Sequence, residues 1–139
     1  MIHAENLKYA LVAVVVLGAV LIGLAIRGWQ RRAFRQRKLR DLSEVYESEV
    51  RQRGVDRETF EDVMNAVAKC FSLDPRVIKP TDSLRAFKAM DSWYLWHGWD
   101  QLEDWLARRG AEAPPNPPPK TVLDLIEYVA RIPAGKTGP

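Results

Sequence analysis

The chain has 139 residues, with 21 Lys or Arg against 18 Asp or Glu for a formal net charge of +3, and one cysteine. That length leaves room for one small domain beside any membrane segment. The single Cys70 excludes an internal disulfide and argues against a multi-cysteine metal site, and His3 and His97 give no metal-ligand spacing. There is no glycine-rich phosphate loop, no zinc-protease helix motif and no nucleophile elbow, so no catalytic constellation assembles and a non-enzyme is expected.

Residues 1–8 read as a short extracytoplasmic tag. From Tyr9 to Ile26 the chain has eighteen residues without a charge, and Arg27 ends the run. At 1.5 Å per residue this is roughly 27 Å of helix, near the thickness of a bilayer's hydrocarbon core. A cleaved signal peptide would carry its basic residues before the run and a small-residue cleavage site after it. Here the order is reversed, so residues 9–27 are expected to be a retained transmembrane helix. Arg27, Arg31, Arg32, Arg35, Arg37, Lys38 and Arg40 follow the run with no acid until Asp41, whereas Lys8 is the only Lys or Arg before it. The positive-inside rule then places the N-terminus outside and everything after Arg27 in the cytoplasm, with Tyr9 and Trp29 at the interfaces. These seven basic residues and Trp29 are the expected membrane-surface contacts. Their place at a membrane exit points to anionic lipid headgroups rather than nucleic acid. Residues 56–132 hold thirteen acids and ten bases, so the folded part is mildly acidic and the basic charge is juxtamembrane.

Residues 28–54 read as one basic juxtamembrane helix leaving the membrane, with Gly28 as the place for a bend and Gly54 as its stop. Leu39, Leu42, Val45, Tyr46 and Val50 form a narrow apolar stripe. Whether this helix is a spacer or docks on the domain stays open at this level. Asp56 is an N-cap for a helix over Arg57 to Ser72, whose inner face is Phe60, Val63, Met64, Val67, Cys70 and Phe71. LDPRVIKPTDSLRAF then reads as a loop, because Pro75 and Pro80 forbid a helix through it, with Val77, Ile78, Leu84 and Phe87 as apolar pins. A further helix is expected from Asp91 or Ser92 to Arg109, with Trp96, Trp99, Leu102, Trp105 and Leu106 at helical spacing as core. Gly98 inside it suggests a close contact, since Gly there costs about 1 kcal/mol against Ala. Gly110 ends it, and APPNPPP is a stiff linker. Thr121 with Asp124 makes a capping-box start for a last helix, Val122 to Arg131. Residues 133–139 are a tail. The fold class is all-α.

The order of helix, pinned loop, helix opening on Asp-Ser, connection and short final helix resembles the acyl carrier protein family. The resemblance covers residues 56–132. IKPTDSL, Asp91-Ser92-Trp93, Leu102-Glu103 and TVLDLIEYV stand in the order of that family's loop motif, Asp-Ser-Leu signature, helix-2 Leu-Glu and closing helix. The resemblance implies a small helical bundle, with Ser92 as the attachment point for 4'-phosphopantetheine beside Asp91. Trp93, Tyr94, Glu103 and Asp104 would lie on the partner-binding face. The sequence also departs from the family: Trp93 stands for the usual Leu, Lys88-Ala89-Met90 replaces the usual Gly, and one extra residue precedes Asp91. A plain N-cap is the alternative role for Ser92. The preferred expectation is therefore a non-catalytic interaction module without a cofactor, serving as an accessory or stabilising subunit of a larger membrane complex. The alternative is a membrane-tethered acyl carrier with phosphopantetheine on Ser92.

Overall fold

The computed structural model of the protein describes residues 3–90, 98–111 and 117–133. Among those residues the chain is all-α: α1 Ala4–Arg35, α2 Leu42–Val45, α3 Arg57–Phe71, α4 Leu84–Met90, α5 Gly98–Arg108 and α6 Val122–Ala130. A π-helical turn over Tyr46–Val50 and a 3₁₀ turn over Arg51–Arg53 continue α2, and a second 3₁₀ turn, Pro75–Val77, lies between α3 and α4. An isolated antiparallel bridge pairs Ser83 with Thr121.

α1 is 32 residues long, which is about 48 Å of helix. Its apolar stretch is mostly exposed, and none of it is buried against the described residues. Such a helix is compatible with a single membrane span or a signal sequence. It passes through Gly28 without interruption, and among the described residues outside its own helix backbone none would lie within 4 Å of a Cβ added there.

The single juxtamembrane helix expected over 28–54 is instead two pieces. α1 stops at Arg35, residues 36–41 are non-helical, and Asp41 caps the next helix by accepting the Ser43 N–H at 3.1 Å. The Arg40 N–H donates to the Arg76 carbonyl at 3.1 Å, a tertiary partner that a continuous helix would deny it. A straight helix would carry Val45 about 16 Å past Phe34 along its axis. The break folds α2 back, so that Phe34, Val45 and Val50 all enter one core. The juxtamembrane segment is thus docked on the domain, and the Tyr46 hydroxyl ties it further by donating to the Val55 carbonyl at 2.8 Å. Gly54, at φ 75, ends the segment in the left-handed conformation that suits glycine.

α3 follows the expected pattern. Asp56 accepts the Thr59 N–H at 3.1 Å, and Phe60, Val63, Met64, Val67 and Phe71 are buried, while Cys70 is only half-buried. The loop after it holds all four expected pins, Val77, Ile78, Leu84 and Phe87, in the core. It ends sooner than expected, because residues 84–90 are helical. Pro80 restricts only the residues up to it, and Ser83 Oγ accepts the Arg85 N–H at 3.2 Å to open α4. α6 begins with the expected capping box: Thr121 Oγ1 accepts the Asp124 N–H and Asp124 Oδ2 accepts the Thr121 N–H, each at 3.1 Å. The free N–H groups of its first turn find partners in the preceding loop, with Val122 donating to the Asp82 carbonyl at 3.0 Å and Leu123 to that of Pro80 at 2.8 Å.

Trp99 and Trp105, expected in the core, are half-buried at its edge, and Leu102 alone on α5 is a fully inserted apolar side chain. Trp96 and the expected start of that helix at Asp91 or Ser92 lie outside the described residues. Gly98 makes the close contact expected of it. A Cβ there would fall 2.6 Å from the Cys70 carbonyl oxygen and 3.0 Å from the Phe71 ring, so α5 crosses α3 at backbone distance.

Candidate functional site

The junction between α1 and the domain is built from one aromatic series and one part-buried ion pair. The Phe34 and Phe87 rings lie 5.2 Å apart, and Phe87 lies 5.3 Å from Phe71, which packs on Gly98. Tilted rings at these separations add to ordinary apolar burial. The Arg37 guanidinium sits 4.0 Å over Phe34. Its Nη1 donates to Asp82 Oδ2 at 2.7 Å and to the Val77 carbonyl at 3.3 Å. Asp82, the buried charged residue among those described, also accepts the Lys79 N–H at 2.8 Å. A carboxylate so enclosed is tolerated because a cation and a backbone donor both meet it. Arg40 pairs with Glu49 at 3.1 Å on the same side.

The membrane-surface residues therefore divide. Trp29, Arg32, Arg35 and Lys38 are exposed, whereas Arg37 and Arg40 are half-buried and pair with Asp82 and Glu49. Arg27 and Arg31 are half-buried and already engaged in contacts of their own. A groove of about 160 Å³ opens at this junction, lined by Trp29, Gln30, Ala33, Phe34 and Arg37 from α1 and its end, and by Ala86 and Met90 from α4.

A larger groove, about 500 Å³, runs between α3 and α5 past Asp62, Lys69, Cys70, Asp104, Trp105 and Arg109. Arg109 Nη1 donates to Asp62 Oδ2 at 3.1 Å, and the guanidinium lies 5.1 Å from the Trp105 ring centre. The walls carry both signs of charge. Among the described residues no three His, Cys, Asp or Glu side chains converge as metal ligands.

Of the expected partner face, Glu103 and Asp104 are exposed on α5. Glu103 is oriented by the Trp99 indole, whose Nε1–H donates to its Oε1 at 2.7 Å, and Asp104 stands on the wall of the larger groove. Asp91, Ser92, Trp93 and Tyr94 lie outside the described residues. The segment that carries them is bracketed by two buried residues, Met90 and Gly98.

Three carboxyl groups are held below their ordinary range, and all three open helical turns. Asp56 is lowered first by the Thr59 hydroxyl, Asp74 by the Arg76 side chain, and Asp124 by the Lys120 backbone N–H. Their environment is explained by capping. Sequence reasoning passed over Phe34, Arg37 and Asp82 as a unit. The available signal was an aromatic residue three positions before an arginine inside an otherwise polar, basic stretch. Comparison of the chain with protein-family profiles, with curated proteins and with solved structures found no match.

Proposed function

We propose that this is a single-pass membrane protein whose cytoplasmic, acyl-carrier-like domain is an interaction module, an accessory or stabilising subunit of a larger membrane complex. The observation that carries this reading is the docking of α1 itself. Phe34, on the helix that holds the apolar run, is buried in the domain core. Phe34 is eight residues past Ile26, so the core begins about 12 Å beyond the end of the run. A retained anchor is favoured for the same reason, since removal of the run would cut a helix that the core uses. A domain held at the bilayer in one orientation suits a fixed subunit, whereas delivery of a swinging arm to several enzymes suits a flexible tether. The basic flank at the cytoplasmic end supports the orientation.

The exposed acids Glu103 and Asp104, with Trp93 and Tyr94 as aromatic anchors, form the proposed partner face. No cofactor is needed for this role. The test is intact mass and fragmentation of the protein purified from native membranes in mild detergent, with the co-purifying chains identified. An unmodified Ser92 and a stable set of partner chains are expected. A phosphopantetheine adduct on Ser92 would overturn the reading in favour of a membrane-tethered acyl carrier.

A further inference from the structure

The groove at the α1–α4 junction has the position, chemistry and size of a lipid headgroup site. Its residues on α1, Trp29 to Phe34, lie three to eight positions past Ile26, roughly 4 to 12 Å beyond the apolar run. The interfacial layer of a bilayer is about 5–8 Å deep on each side, so the groove starts within that layer at Trp29 and extends past it toward Phe34. Most of its lining is apolar, from Trp29, Ala33, Phe34, Ala86 and Met90, and Arg37 supplies a positive charge. Arg37 is held in place by Asp82 and by the Phe34 ring. Among the described residues both side-chain hydrogen bonds of Arg37 use Nη1, and Nη2 and Nε remain for another acceptor. Exposed Arg32, Arg35 and Lys38 are sequence neighbours of the lining residues, with no acid between Arg27 and Arg40. The volume, about 160 Å³, is below the roughly 300 Å³ usual for a whole small ligand. That size suits a molecule that inserts only its head and leaves its tails in the bilayer.

We propose that this groove binds one anionic phospholipid of the cytoplasmic leaflet, its glycerol end against Trp29, Ala33 and Met90 and its phosphate on Arg37. The proposal rests on the membrane-span reading. It adds that the folded domain, together with the helix, selects the lipid. A lipid held there would bridge α1 and α4 and so stiffen the junction that orients the domain.

The test uses the full chain. Sodium carbonate extraction of membranes first establishes whether the protein is integral. Native mass spectrometry of the detergent-purified protein, after exchange with phosphatidylglycerol or phosphatidylcholine, then counts retained lipids. One phosphatidylglycerol per chain is expected, with phosphatidylcholine retained about fivefold less: the phosphate contact with Arg37 is common to both lipids, and the choline ammonium is repelled by the flanking Arg32, Arg35 and Lys38. Arg37→Gln also breaks the Asp82 pair, so the deciding variant is Ala33→Trp, which fills the groove and leaves every ion pair in place. It should lower retained phosphatidylglycerol by about tenfold, while Arg35→Gln with Lys38→Gln should narrow the gap between the two lipids. An integral protein that holds both lipids equally, or holds phosphatidylglycerol equally well with Ala33→Trp, would overturn the site and leave the membrane reading intact. A protein released by carbonate would overturn both.

Discussion

From Tyr9 to Ile26, α1 has eighteen residues and none is buried by the chain, yet eight positions farther along the same helix Phe34 is 8% exposed. One stretch has the composition of a helix whose apolar side chains find lipid, and the other has a tertiary partner for its one large apolar residue. The backbone hydrogen bonds are the same in both. What differs is the solvent that each stretch is suited to, and hence which substitutions the domain feels.

The comparison can be broken most directly at Phe34. Phe34→Ala should destabilise the domain by about 3 kcal/mol, the lower end for a buried aromatic residue because its edge is still partly exposed. The full chain in detergent would show it as a lowered Tm in circular dichroism, and an unchanged Tm would mean that the junction is not part of the core. Asp82→Asn leaves Arg37 half-buried beside a neutral amide and should cost about 1.5–3 kcal/mol, the range for a hydrogen bond to a charged group. Urea midpoints would measure it, and an effect much below 1 kcal/mol would show the clasp to be ornamental. Gly98→Ala places a Cβ 2.6 Å from the Cys70 carbonyl oxygen, so α3 and α5 must separate. A loss of about 1–3 kcal/mol is expected, as for other overpacked positions.

Thr121→Ala removes one half of the α6 capping box and should cost about 1 kcal/mol. Its partner Asp124 adds a pH signature. The folded pKa is lowered, so its contribution is complete above the ordinary carboxylate pKa and fades as the pH falls through the lower folded value. Asp124→Asn should therefore flatten the acid limb of the stability profile and leave its alkaline limb alone. At the small end, Val15→Ala in the apolar half should leave the domain's Tm unchanged. A measurable drop there would show that the run packs on protein rather than lipid.

The features legible in the sequence were local ones. The apolar run of α1, the Asp56 cap and the buried face of α3, the Gly54 stop and the Thr121–Asp124 box each depend on neighbours within a turn or two. The four pins of the loop were legible too, because a large apolar residue among prolines has few places to go. Of the candidate site, Glu103, Asp104 and part of the basic flank are exposed, and the roles expected of them turn on partners outside the chain. The division of the flank was not foreseen. Arg37 reads as a lipid contact by its neighbours in sequence, and its pairing with Asp82, forty-five positions away, adds a structural role that no neighbour announces.

By itself the sequence determined an all-α chain with one long apolar helix, because hydrophobic runs, caps and glycine stops act through the bonds of adjacent residues. Only the tertiary structure decided that the helix breaks after Arg35, that α4 forms over Leu84–Met90, and that Trp99 and Trp105 stop at the edge of the core. Each of those outcomes turns on a contact between distant segments: Arg40 on Arg76, the 80–84 loop on α6, and the Gly98 backbone against α3. Such contacts form only when the whole core packs, and no short window of sequence contains both partners.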